Sequence, residues 1–217
     1  MRIGKAAFGL AAALAVGFAG GAQGTTLSDL NGGGSLSVGG LTFSNFSITV
    51  TGDIDHNLAD YQVLTLSDGF RIKAGIGVFG NQQGDVGLSY DVSAAPGSPA
   101  VNDIRLAFNG TAEGANSGAT VSEDLFGIPG GALIAAANVF AVGSGSSQKV
   151  DTATFAPQTS FTVEKDIFVK ASDPTFGGLA TISLVDQHFS LVPEPGSLVL
   201  LGGGLTGLFA LGRKRKS

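Results

Sequence analysis

The chain is 217 residues long, carries a net charge of −5 and contains no cysteine, which excludes disulfides, thiolate nucleophiles and thiolate-held zinc or iron–sulfur centres. Glycine reaches 35 residues without a Gly-X-Y period, so collagen is excluded as well. Between Thr25 and Val192, six Lys or Arg stand against sixteen Asp or Glu, a net of −10 that would repel nucleic acid. Such a body can either collect divalent cations or simply keep its surface soluble.

Met1 to Gly24 has the three parts of a secretory signal peptide. Arg2 and Lys5 form the charged start, Ala6 to Ala19 is apolar, and Ala22-Gln23-Gly24 offers small residues for cleavage. The segment therefore predicts handling by the Sec machinery and a signal peptidase.

From Thr25 to Leu191 a period of two dominates. Leu41 and Phe43 share one phase, and Phe46, Ile48 and Val50 take the other, which predicts a bulge near Asn45. Phe70, Ile72, Ala74, Ile76 and Val78 line one face of a strand. Val86 to Val92 and Ile104 to Phe108 repeat the pattern. Further strands are expected at 61–66, 120–125, 133–142, 161–170 and 179–191, although the alanines of 133–137 could instead open a short helix. Turn signals separate the runs at Gly52-Asp53, Asp68-Gly69, Gly80-Asn81, Asn109-Gly110 and Gly143 to Ser147. Alternation gives each strand one buried and one wet face, and so many strands bury their apolar faces best as two packed sheets. The expected fold is all-β: an antiparallel β-sandwich, jelly-roll-like, with a signal helix before it and a hydrophobic helix after it.

Candidate chemistry in this body is sparse. Gly75-x-Gly77-x-x-Gly80 matches the dinucleotide fingerprint in form, but it lies in an alternating strand with no helix after it. Asp53, Asp55 and Asn57 put oxygen-bearing side chains at alternate positions, as the opening of a calcium loop does. Leu58 replaces the glycine of that loop and Leu64 its bidentate glutamate, so a solvated acidic turn is the competing reading. His56 and His188 are the only histidines, and neither belongs to a metal motif. No Gly-x-Ser-x-Gly elbow occurs. With no Trp, two Tyr and fifteen Phe at mostly alternating apolar positions, an aromatic sugar-binding platform is not visible. The body is expected to be non-catalytic, with a carbohydrate-binding module as the alternative and a secreted hydrolase behind it.

The last segment is the most specific. Val192-Pro193-Glu194-Pro195 precedes an uncharged apolar run from Leu198 to Gly212, closed by Arg213, Lys214, Arg215 and Lys216. Two prolines enforce an extended break. A helix over the apolar run would reach about 24 Å, short of a hydrocarbon core of about 30 Å. The basic cluster would stay on the cytoplasmic side. These residues resemble the PEP-CTERM sorting signal, a tail also labelled the ice-binding protein C-terminal domain. No regular Thr-x-Thr array that would make a flat repeated face supports ice binding here.

The resemblance implies a Gram-negative bacterium and recognition by an exosortase, a membrane transpeptidase that cleaves near the motif. It further implies a transient membrane anchor and an exopolysaccharide setting. An ordinary C-terminal anchor is the competing reading of the same residues. The expected domains are thus 1–24, 25–191 and 192–217.

Overall fold

The computed structural model of the protein describes residues 24–128, 130–173 and 177–192. The expected signal helix, the Pro-Glu-Pro residues, the hydrophobic helix and the basic cluster lie outside them. The described residues form one α-helical turn, α1 (Leu27–Asn31), and thirteen strands. The strands are β1 (Thr25–Thr26), β2 (Leu36–Val38), β3 (Leu41–Gly52), β4 (Gln62–Thr65), β5 (Gly69–Phe79), β6 (Gln83–Ala94) and β7 (Ala100–Glu113). They continue with β8 (Gly118–Gly127), β9 (Leu133–Val142), β10 (Ser147–Gln148), β11 (Val150–Gln158), β12 (Ser160–Lys170) and β13 (Leu179–Val192).

Two antiparallel sheets face each other. The smaller runs β1-β4-β5-β13-β7-β11, and the larger runs β10-β9-β8-β12-β6-β3-β2. The chain passes from one sheet to the other at most of its long connections, as in a jelly roll. The alternating residues read from the sequence fill the space between the sheets: Phe70, Ile72, Ile76, Val78, Val86, Leu88, Ile104 and Leu106 are all buried. Aromatic rings knit one end of this core. Phe43 meets Phe70 edge-on at 5.3 Å and Phe189 at 5.4 Å, and Phe46 stacks on Tyr90 at 5.2 Å.

The phase switch in β3 is a bulge. Pairing with β6 slips between Ser44 and Ser47, and Asn45 sits at φ 56°, a left-handed conformation that asparagine tolerates. Its Nδ2 donates to Asp91 Oδ2 at 2.8 Å, which ties the bulge to the neighbouring strand.

The strand expected at 133–142 is β9, and the helix alternative for 133–137 fails because pairing with β8 overrides the local preference of alanine. One expectation is corrected. Asn109-Gly110 is not a turn but lies inside β7, with Gly110 opposite Ile182. A Cβ at Gly110 would strike the Phe108 ring, so this glycine marks close packing in a strand. The short strands β1, β2 and β10 and the longer β11 were not expected. The edge strand β11 has no fully buried residue and contains Pro157, so its apolar signal is weak.

The core contains a polar interruption. Glu123 on β8, Lys165 on β12 and Gln187 on β13 are 1%, 3% and 1% exposed. Lys165 Nζ donates to Glu123 Oε2 and, across the sheets, to Gln187 Oε1 at 2.8 Å.

Candidate functional site

With Val86, Leu88, Tyr90 and Val92 pointing inward, β6 turns Asp85, Gly87, Ser89 and Asp91 to the outer face of the larger sheet. On β12 the same alternation brings out Thr162, Glu164, Asp166 and Phe168. On β8 it brings out Thr120, Ser122, Asp124 and Phe126. Register then builds rows across the strands. Ser47, Ser89, Glu164 and Asp124 form one row, and Thr49, Gly87, Asp166 and Ser122 the next. Together they border a groove of about 340 Å³. Gly87 keeps its floor open, since a Cβ there would come within 2.8 Å of Thr49 Oγ1.

The electrostatics of this face are one-sided. Glu164 and Asp124 stand directly opposite each other across β12 and β8, and both are exposed. Like charges in such a pair repel. Burial, then a hydrogen bond with Asp166 and its charge, push the Asp85 carboxyl up to about 7. Asp85 Oδ1 is buried with no hydrogen-bond partner among the described residues. Asp91 is satisfied, by Asn45 Nδ2 at 2.8 Å and Thr162 Oγ1 at 2.7 Å.

Half-buried phenylalanines share the same face: Phe168 and Phe140 flank Thr120, and Phe126 lies opposite Thr162. Sequence reasoning assigned the phenylalanines to the core and missed these three. The signal was present, because each is out of phase with the buried residues of its own strand. Both tyrosines are in the core, with Tyr90 0% and Tyr61 2% exposed. The face thus offers hydrogen-bond acceptors, hydroxyls and aromatic surface.

The calcium candidates fall in the turn after β3. Asp53 Oδ2 accepts from Gln83 N at 3.3 Å and Asp55 Oδ1 from Asn57 N at 2.9 Å. Asn57 Oδ1 caps the 3-10 turn Leu58–Asp60 through Ala59 N at 3.3 Å, and its Nδ2 donates to Asp60 Oδ2 at 2.8 Å. Among the described residues, no group of three or more His, Asp or Glu stands where it could hold a metal ion.

Of the two histidines, His56 lies in this same turn and His188 on β13. His56 Nε2 meets Gly52 O at 2.9 Å, and His188 Nδ1 meets Asp68 Oδ1 at 2.8 Å. Ser67 Oγ donates to that same Asp68 oxygen at 3.2 Å and not to His188.

The sandwich ends on Leu191 and Val192, paired with Val101 and Ala100. Residues 191–216 match the PEP-CTERM protein-sorting motif. The tail is a PEP-CTERM sorting signal. A PEP-CTERM motif marks an exported chain whose tail is held in the membrane before processing. Here the motif begins inside the last strand, at residue 191. No helix of the described residues is long and apolar enough to cross a membrane.

No curated protein sequence matches the chain. Among solved structures, it is similar to TmCBM61 in complex with β-1,4-galactotriose, at 12% identity, TM-score 0.35, covering 67% of this chain and 88% of that one. It is also similar to CsCBM6-3 from Clostridium stercorarium in complex with cellobiose, at 20% identity, TM-score 0.24, covering 66% and 94%. A third is endoglucanase 3 of family GH12 from Trichoderma harzianum, at 10% identity, TM-score 0.24, covering 66% and 98%.

Proposed function

We propose that this chain is a non-catalytic protein of the cell surface or extracellular matrix, delivered by its PEP-CTERM tail and cut by an exosortase, whose larger sheet engages an exopolysaccharide. The observation that carries the delivery half is the sorting motif starting at residue 191, on the last strand of a finished sandwich. Cleavage beyond Val192 removes the tail and leaves every strand pairing of the body intact.

The outer face of the larger sheet supports the binding half. Sugar hydroxyls donate to Asp124, Glu164 and Asp166, and the C–H faces of sugar rings pack on Phe140 and Phe168. An acidic face favours a neutral or amino-bearing glycan over a uronate.

Two experiments test the two halves separately. Mass spectrometry of the exported protein is expected to show a chain ending between Val192 and Leu198, and mature material still ending in Lys216-Ser217 would defeat the sorting reading. In polysaccharide pull-downs with the exported protein, Phe168→Ala is expected to weaken retention about tenfold, as loss of one stacking ring does. Retention unchanged by Phe168→Ala and Glu164→Gln alike would remove the larger sheet from the binding role.

A further inference from the structure

Lys165, Glu123 and Gln187 form a polar set sealed between the sheets. A buried ion pair is a weak device for stability, because apolar side chains of the same volume serve as well or better. This one is also incomplete. Glu123 Oε1 has no hydrogen-bond partner among the described residues, nor has the hydroxyl of the fully buried Tyr90. Burial also lowers the pKa of Lys165, against the opposing charge of Glu123, so its amine is easier to free. The set therefore costs stability as it stands, and its chemistry offers a way to remove the cost.

We propose that Lys165 and Gln187 join in an intramolecular amide bond, with Glu123 as the catalytic acid–base, releasing ammonia. Each reactant is held by a strand paired on both sides. Lys165 sits on β12 between β6 and β8, opposite Leu88 and Glu123, and Gln187 on β13 between β5 and β7, opposite Phe70 and Leu106. Their polar ends already touch, since the Gln187 oxygen accepts from Lys165 Nζ at 2.8 Å. That contact places the amide carbon about one C=O bond length, ~1.2 Å, beyond the oxygen.

The ammonium first gives a proton to Glu123 Oε2, with which it is hydrogen-bonded. The freed lone pair adds to the Gln187 carbonyl carbon. Glu123 then protonates the side-chain nitrogen of Gln187 and takes a proton from Lys165 Nζ. The carbon–nitrogen bond to the primary amide breaks, ammonia leaves, and a secondary amide remains with a neutral Glu123 carboxyl. No oxidant, reductant or cofactor enters. The reaction exchanges a buried ion pair for two neutral groups. In a body without cysteine it also supplies the covalent tie between the sheets that a disulfide would otherwise provide.

Peptide mapping of the full-length protein purified through its export pathway tests this. The expected result is a branched peptide joining the Lys165 and Gln187 segments, lighter than their sum by one ammonia. A folded preparation in which Lys165 and Gln187 are recovered free overturns the proposal. A branch lighter by one water and joined to Glu123 overturns the assignment of Gln187. In Glu123→Gln, circular dichroism is expected to show the sandwich while the branched peptide is lost. An undiminished branch in that variant would overturn the role of Glu123.

Discussion

The two outer faces of the sandwich handle charge in opposite ways. On the smaller sheet, Arg71 lies opposite Asp186 and grips it with two hydrogen bonds, at 2.5 and 2.7 Å. Thr111 and Thr181 meet at 2.8 Å, and Ser183 donates to Asn109 at 2.6 Å. Polar groups there complete one another across the strands, which is how a wet face stabilises a sheet. On the larger sheet, carboxylates oppose carboxylates and Asp85 presses against Asp166. A face arranged against its own stability is a better candidate for binding than one arranged in favour of it.

The sharpest way to break this contrast is Asp186→Ala, which leaves Arg71 without its partner on the ordered face. A loss of about 1–3 kcal/mol is expected in urea unfolding, and a neutral result would place the two faces on the same footing. Next comes pH. Asp85 stands at about 7 when folded, against an ordinary value of 3.8, so its contribution is fully present below that ordinary value and is lost as pH rises through 7. Because Asp85 is only half-buried, the effect is discounted to about 1 kcal/mol. Asp85→Asn should therefore raise stability at pH 8 and flatten the pH profile between 4 and 7, read by thermal melts.

A smaller gain, about 0.5 kcal/mol, is expected for Glu164→Gln at low salt, fading as salt screens the repulsion from Asp124. A melting temperature lowered by this change at low salt would contradict the repulsion argued here. The smallest effect belongs to the turn of Asp53, Asp55 and Asn57. EDTA is expected to leave the melting temperature of the exported protein unchanged, and a drop would restore calcium to that turn.

Much of the fold was legible because one-sided strands write their burial into the sequence. The Asn45 bulge was readable for the same reason, since a phase switch has few other causes. The edge strand β11 was silent because none of its side chains is buried. Asn109-Gly110 misled because a glycine that yields space to Phe108 looks, in sequence, like one that turns the chain. The acidic rows of the larger sheet could not be seen from spacing. Glu164 and Asp124 are forty residues apart and meet only through the register of β12 on β8. The buried Lys165 was similarly hidden, because alternation counts a charged residue as outward by default, whereas here it keeps the inward phase of Val163 and Ile167.

The smaller sheet is completed from its middle. Strand β13 lies between β5 and β7, and without it the sheet falls into two separate pieces. Folding of the body must therefore wait for the last strand, which stands immediately ahead of the apolar tail. The body thus becomes able to close only where the sorting tail begins, and any truncation that removes β13 should yield a chain that proteases clear.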